Sequence, residues 1–198
     1  MILTFLPLLF ALMWSGPPGP LPEVHSTQEA CARMEKKIAL LEERSTLPEG
    51  KRGGPVTMTQ EEIESFFALS KIPKIPEGVS DIHFDLHPNK QGAHATVDFD
   101  RYKATSKRPV NPLVDLFLRG KKSLATEGVA TFPGNGTGVY HLEWASLDTF
   151  TAKASTIEFL LKWFVLPRYP KAQMDQTFVL PSNIRKVEVR EGEIVVYP

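Results

Sequence analysis

Apolar and polar residues alternate along two neighbouring segments in the middle of the chain. In DIHFDLH (81–87) every second residue is apolar, and the residues between them are Asp or His. After the loop PNKQG (88–92), the segment AHATVDFD (93–100) repeats the alternation. Because successive side chains of a strand point to opposite faces, the pattern predicts an antiparallel hairpin with one dry face and one solvated face.

Three histidines lie on the polar phase of this predicted hairpin: His83, His87 and His94. His83 and His87 are four residues apart on a strand, so their Cα atoms are roughly 13 Å apart. They cannot share one metal ion, because protein ligands lie about 2 Å from the metal. We therefore favour a solvated sheet face and expect no metal site. A cross-strand cluster of His83 or His87 with His94 is the alternative.

Two further strand pairs are predicted towards the C-terminus. SLATEGVATF (123–132) and GVYHLEWASL (138–147) flank the loop PGNGTG (133–138), and IRKVEVREGEIVVYP (184–198) contains two strands around a Glu-Gly turn. The loop follows the order G-x-G-x-G, but it carries no lysine and leads into a strand. We therefore interpret it as a hairpin turn and not as a phosphate-binding loop.

Two helices are predicted before these strands. TQEACARMEKKIALLEERS (27–45) has a narrow apolar stripe among charged residues, and the Pro- and Gly-rich segment 46–55 follows it. We expect this charged helix to lie apart from the main domain, as a solvated stalk rather than a coiled-coil contact. TMTQEEIESFFALSK (57–71) starts the folded part, because Thr59 and Glu62 have the spacing of a capping box.

A later helix, predicted from Ala154 to Leu166, is apolar on nearly all sides. One stripe holds Ile157, Leu160, Leu161 and Phe164, and a second holds Phe159, Trp163 and Leu166. Such a helix should be buried on more than one side. Leaving the second stripe in water would forgo about 1.5–3 kcal/mol for each side chain.

The segment NPLVDLFLRGK (111–121) also contains more apolar residues than a solvated loop needs. An ordinary single core would cover both segments, and a membrane-facing or protein-facing patch is another explanation. The functional hypothesis is a groove for an acyl chain or other apolar ligand. Its predicted lining is Leu113, Leu116, Phe117, Ile157, Phe159, Leu160, Trp163, Phe164 and Leu166.

The N-terminal segment is typical of export. Residues 2–14 are almost wholly apolar, a length that fits a signal peptide and falls short of the ~20 residues of a membrane span. We expect an exported protein that is periplasmic or associated with the cell envelope. The predicted organisation is a signal peptide or anchor with a Pro-rich spacer (1–26), the charged helix and its linker (27–56), and an α+β domain (57–198).

The composition argues against two classes of function. The 198 residues contain 23 Lys and Arg and 23 Asp and Glu, so the net charge is zero and nucleic acid is not an expected partner. No G-x-S-x-G motif is present, and the only cysteine, Cys31, precedes the predicted domain. We therefore expect no catalytic residues and no cofactor, although carboxylate pairs across a sheet remain open.

Three passages resemble landmarks of small bacterial envelope proteins related to the tubular lipid-binding (TULIP) superfamily. They are MTQEEIESFFA, GVSDIHFDLHP and LPSNIRKVEVREGEIVVYP. In such proteins a T-x-E-E helix start precedes a curled antiparallel sheet, and the chain closes with V-x-V-x-x-G-x-I-V-V. The resemblance implies lipid binding without catalysis. The chain departs from the pattern in its short length and in its charged N-terminal helix.

Together these patterns predict an α+β protein, in which a curled antiparallel β-sheet packs against two helices. A signal or anchor segment and a separate charged helix precede it. The predicted function is non-catalytic binding of a lipid or hydrophobic small molecule in a groove between sheet and helices. The alternative is an envelope scaffold that uses the apolar helix to dock a protein, with a membrane surface as a further partner.

Overall fold

The structure is a computed structural model that describes residues 26–73, 75, 77–105, 119–148, 150–155 and 177–198. Within these ranges the complete α-helices are α1 (Gln28–Ser45), α2 (Gln60–Leu69) and α3 (Phe99–Thr105). Its strands are β1 (Val56–Thr59), β2 (Val79–His87), β3 (Lys90–Asp98), β4 (Lys121–Thr131), β5 (Thr137–Leu147), β6 (Phe150–Lys153), β7 (Thr177–Val179), β8 (Lys186–Arg190) and β9 (Glu193–Tyr197).

The strands form two antiparallel sheets. The larger has six strands in the order β2-β3-β4-β5-β6, with β7 paired to the free part of β5. The smaller has the order β1-β9-β8. The predicted α+β class with an antiparallel sheet is therefore confirmed. The closing hairpin lies in the smaller sheet because β9 pairs with β1, a strand that the sequence patterns did not predict.

All three predicted hairpins are present, and their turns explain where each reversal occurs. His87 pairs with Lys90, so the β2–β3 turn holds two residues instead of the predicted five. Gly134 and Gly136 have φ of 87° and 76° in the β4–β5 loop, which confirms a turn. Gly192 has φ of 66° between β8 and β9. Such angles strain residues that have a Cβ, so glycine favours a reversal at these positions.

Helix α1 packs into the core, so the prediction of a separate charged helix is wrong. Met34 and Leu41 are each 1% exposed and belong to the same apolar cluster as Met58 and Ile63. Cys31 is also buried on this helix. A narrow apolar stripe is compatible with a solvated stalk, but on α1 it is wide enough to cover one side of α2 and the smaller sheet.

Helix α2 begins at the predicted capping box, which is confirmed. The Thr59 hydroxyl accepts a hydrogen bond from the Glu62 amide at 3.3 Å, and Glu62 Oε2 accepts one from the Thr59 amide at 2.9 Å. The same carboxylate receives Lys37 Nζ at 2.6 Å and Arg33 Nε at 3.2 Å from α1. Glu62 therefore starts one helix and attaches the other to it.

Burial and pairing act in opposite directions on Glu62, whose residue is 2% exposed. Burial on its own raises the pKa of the carboxyl. The hydrogen bonds from Lys37, from the Thr59 amide and from Arg33 outweigh burial and hold the pKa below its usual value. The carboxylate is therefore ionised at neutral pH, which is the state that both cations of α1 require.

Candidate functional site: two buried faces of the large sheet

The six-stranded sheet has two buried faces of different chemistry. Partners in register on neighbouring antiparallel strands share a face, so the pairing defines each set. What we term the core face carries the row Phe84, Ala93, Thr126, Ala145 and Ala152, from β2 to β6. What we term the histidine face carries the row His83, His94, Ala125, Ser146 and Thr151.

The core face has a row of small side chains across its centre. Ala93, Thr126, Ala145 and Ala152 lie opposite one another on four adjacent strands, and we call this row the small-residue stripe. Since adjacent strands are about 4.8 Å apart, the stripe is about 14 Å long. Ala93 is 2% exposed, and Thr126 and Ala152 are each 7% exposed. Ala145 is partly exposed, so the stripe is a low strip of sheet surface that is mostly buried.

Larger side chains border the stripe on both sides. The next row towards one end of the strands pairs Leu124 with Leu147. Towards the other end, Gly128 pairs with Leu142, and a Cβ built on Gly128 would lie 2.6 Å from the Tyr140 ring. Tyr140 therefore lies over Gly128 on the core face. The low strip is bounded by leucines on one side and by Tyr140 and Leu142 on the other.

The described part of the core face contains two buried polar side chains near the stripe, Gln91 and Thr126. Gln91 is satisfied at both ends, because its Nε2 donates to the His87 carbonyl at 2.9 Å and its Oε1 accepts from the Ala130 amide at 2.6 Å. The Thr126 hydroxyl has no hydrogen-bond partner in the described part of the chain. The fold therefore satisfies the hydrogen-bonding groups of Gln91, whereas it buries the Thr126 hydroxyl without a partner among the described residues.

On the histidine face, His83 and His94 lie opposite each other on β2 and β3, next to Glu64 of α2. His83 Nδ1 is 2.8 Å from Glu64 Oε1, an ion-pair distance, and the same oxygen accepts the Phe84 amide at 2.9 Å. His94 is 1% exposed, and burial, aided by the neighbouring His83, lowers its pKa to about 4. His94 is therefore neutral at pH 7.

The prediction of a solvated face is wrong for this pair, since α2 brings Glu64 against β2 and His94 is covered. The alternative was a cross-strand cluster of His83 or His87 with His94 that would bind a metal, and the structure shows only that His83 and His94 lie opposite each other. Among the described residues, no group of three or more His, Cys, Asp or Glu could hold a metal ion.

A second buried carboxylate, Glu127, lies on the histidine face one row further along β4. It is 2% exposed, accepts a hydrogen bond from Trp144 Nε1 at 3.0 Å and forms an ion pair with Lys90. No local sequence pattern predicts this contact, because Glu127 and its two partners come from three different strands. The pairing neutralises the buried charge, as a buried carboxylate requires.

His87 lies at the exposed end of β2, where the solvated interpretation is correct. Its Nε2 is 2.8 Å from Asp85 Oδ1, and its Nδ1 is 2.8 Å from Glu191 Oε2 in the β8–β9 turn. The hydrogen bond to Glu191 is the main cause that raises the pKa of His87, against a smaller opposing effect of burial. Together with the Gly192 amide, which donates to the Leu86 carbonyl at 2.8 Å, His87 connects the two sheets.

All nine residues predicted to line the apolar groove lie outside the described residues, in the segments 106–118 and 156–176. Residues 1–25 of the predicted signal or anchor segment (1–26) lie outside them too. Within the described ranges no helix is both long enough and apolar enough to cross a membrane. The members of the small-residue stripe lie on the apolar phase of their strands, but the alternation within each strand does not predict that they meet in one row.

The fold defines the class: an α+β protein in which two antiparallel sheets and two packed helices share one core. Comparison with known proteins finds no matching family model, no matching curated protein and no matching solved structure. The resemblance to the tubular lipid-binding proteins therefore stays a prediction.

Proposed function

We propose that this is a non-catalytic binding protein that holds the chain of a lipid, or a similar apolar molecule, against the core face of the six-stranded sheet. The observation that carries the proposal is the small-residue stripe. Three alanines and one threonine in register form a floor lower than the leucines and the tyrosine beside it. A methylene chain is narrow enough to lie along this floor. Each CH₂ group that it buries there contributes about 0.8 kcal/mol to the free energy of binding.

The dimensions of the stripe favour an extended ligand over a compact one. It is about 14 Å long across four strands and only one row of residues wide. An extended acyl chain has this narrow, linear shape. The end of the row at Phe84 is closed, because that side chain is 2% exposed and its ring centroid lies 5.5 Å from that of Phe67. We therefore expect the chain to enter from the β6 side.

Two of the three buried acids, Glu62 and Glu127, have surroundings that support binding without catalysis, whereas the third, Glu64, lies beside His83. Glu62 is paired with Lys37 and Arg33, and Glu127 with Lys90 and Trp144. Both therefore have structural partners that account for their burial. A general acid or base is normally exposed to its substrate with a pKa close to the working pH.

The proposal extends to the parts of the chain that lie outside the described residues. The groove between sheet and helices that the sequence predicts, with its lining in segments 113–118 and 157–166, belongs to the same proposal. The apolar N-terminal segment would direct the protein to the periplasm or cell envelope, where it would meet lipid. A curled sheet, as in the tubular lipid-binding proteins, belongs to the same proposal.

The direct test is extraction of the purified full chain with organic solvent, followed by mass spectrometry, and rebinding of palmitate to the delipidated protein. Ala145→Phe raises the floor in the middle of the stripe and should reduce palmitate binding at least about tenfold, since both the site and its buried contacts are lost. Thr131→Phe adds the same bulk at an exposed position of β4 and should bind normally.

Two results would count against the proposal. If the delipidated wild type does not bind palmitate or a phospholipid, lipid binding is wrong. If Ala145→Phe folds and binds palmitate as the wild type does, the stripe is not the site. Trp163→Asp tests the predicted groove lining in parallel. A lipid-free protein that forms dimers through the same apolar segments would favour the docking alternative.

A further inference from the structure

Thr126 places a hydroxyl group in the middle of the small-residue stripe. Its neighbours in the row are Ala93 and Ala145, whose methyl groups offer no hydrogen bond. The residue is 7% exposed, and its Oγ1 has no partner among the described residues. The hydroxyl group of a residue that is more than nine-tenths buried therefore lies in the stripe on which we place the ligand.

An unpartnered buried hydroxyl needs an explanation. Most buried polar side chains in folded proteins have a hydrogen-bond partner, and leaving one without a partner destabilises the fold. Gln91, on the same face, shows that this sheet satisfies a buried polar group at both ends when the group serves the fold alone. Valine has nearly the same shape as threonine and would fill the position without this cost.

We propose that the Thr126 hydroxyl recognises an uncharged oxygen on the bound chain. This inference rests on the proposed function and names its ligand class: a long aliphatic chain that carries a hydroxyl or keto oxygen. The hydroxyl both donates and accepts, so it can pair with either group. A plain hydrocarbon chain would leave Thr126 unpartnered and should bind less tightly.

Among the described residues, the charged groups near Thr126 do not favour a carboxylate as the recognised group. An ionised carboxylate that is buried needs a cation or several donors. On the core face of β4, Lys122 is four residues from Thr126, roughly 13 Å along the strand. Its Nζ already pairs with Asp148 at 2.8 Å. The carboxyl end of a fatty acid should therefore remain outside, towards β6, while the oxygen near the inserted end meets Thr126.

The position of Thr126 also fixes where that oxygen lies on the chain. Thr126 is on β4, one strand spacing (about 4.8 Å) from Ala93 at the closed end of the stripe and about 10 Å from Ala152 at the other end. Only a few methylene groups fit beyond the hydroxyl. The recognised oxygen is therefore at or near the terminus that enters first, as in an omega-hydroxy fatty acid.

The test compares omega-hydroxypalmitate with palmitate on the delipidated full chain by titration calorimetry. The wild type should bind the hydroxylated chain about fivefold more tightly, the ratio expected from one net hydrogen bond. Thr126→Val should abolish this preference without weakening palmitate, and Thr126→Ser should retain it. Thr126→Ala, which matches the neighbouring residues of the stripe, also removes the hydroxyl and replaces the valine variant if that variant does not fold.

The outcomes separate the two proposals. If the wild type binds both chains equally, or if the valine and alanine variants keep the preference, the role of Thr126 is wrong while palmitate binding still supports the proposed function. If neither chain binds the wild type, both proposals fail. If the hydroxylated chain is preferred and the preference depends on the hydroxyl of residue 126, the inference is supported.

Discussion

His83 and His94 lie directly opposite each other on β2 and β3, with ring centroids 6.3 Å apart and ring planes inclined by 36°. Glu64 lies beside His83, with 2.8 Å between Glu64 Oε1 and His83 Nδ1, whereas burial dominates the environment of His94. The two imidazoles therefore differ in electrostatic environment although they share one row of the sheet. The pair makes the stability of the fold sensitive to acid.

We predict that stability falls as pH decreases from 6.5 to 4, in part because of His94. Its pKa is lowered from 6.5 to about 4 in the fold, so in this window the unfolded chain binds the proton and the folded chain does not. The loss over the whole window is about 3 kcal/mol from this group. Urea unfolding at several pH values measures it.

The matched variant for that measurement is His94→Gln, which keeps a polar side chain but cannot titrate. The difference in unfolding free energy between wild type and variant should change with pH between 6.5 and 4 and stay constant above 7. A difference that is independent of pH throughout would show that His94 titrates normally in the fold.

A second prediction concerns Glu62, which joins α1 to the start of α2. Glu62→Ala removes half of the capping box and leaves Lys37 and Arg33 without their buried partner, so it should destabilise the protein by about 2–4 kcal/mol. Glu61→Ala, one residue earlier and half exposed, should cost about 0.5 kcal/mol or less. Urea midpoints at pH 7 compare the two variants.

The acid dependence of Glu62 has a definite sign. Its pKa is lower in the fold than in the unfolded chain, so its contribution is complete above pH 4.5 and is lost as pH falls through the folded value. The stability difference between wild type and Glu62→Gln should therefore shrink in acid. A difference that grows below pH 4.5 would contradict the assignment.

His87 provides a third prediction, at the contact between the two sheets. Its pKa is raised, chiefly by the hydrogen bond to Glu191, so the protonated form stabilises the contact below pH 6.5 and this contribution disappears as pH rises through the folded value. NMR titration of the His87 ring should give a midpoint above 6.5. Glu191→Gln should lower that midpoint, whereas Glu193→Gln, two residues away, should leave it unchanged.

Gly128 provides a fourth prediction, which tests how closely β5 approaches β4 at this glycine. A Cβ at this position would lie 2.2 Å from the His141 carbonyl oxygen, a backbone atom of the paired strand that cannot move without breaking the sheet. Gly128→Ala should destabilise the protein by about 3 kcal/mol. Gly50→Ala is the control, because nothing lies within 4 Å of its added Cβ. Equal thermal stability of the two variants would refute the tight contact.

Local patterns predicted those parts of the fold that neighbouring residues determine. The alternation in 81–87 and 93–100 predicted the β2–β3 hairpin, and the spacing of Thr59 and Glu62 predicted the start of α2. β1 was missed because its four residues, Val56–Thr59, give only two alternations before the helix signal begins. Its role depends on pairing with β9, about 140 residues away along the chain.

The candidate site depends on register, which sequence alone does not show. The small-residue stripe exists because Ala93, Thr126 and Ala145 lie opposite one another on three strands. A shift of the pairing register by one residue would move the side chains of a strand to the opposite face of the sheet. The irregularity beside Glu127 and Gly128 shifts the register once more, within the β4–β5 pair. The burial of His94 was missed for a related reason, since the alternation of a strand does not reveal whether a second layer covers its polar side.

The position of Cys31 on the covered side of α1 has a consequence for redox chemistry. The residue is 4% exposed, and burial, with Glu35 beside it, raises the pKa of the thiol. Since the thiolate is the species that reacts, the folded protein should resist oxidation, alkylation and mixed disulfide formation. Labelling of Cys31 by a maleimide would then report the detachment of α1, and the rate of labelling would measure how often that helix opens.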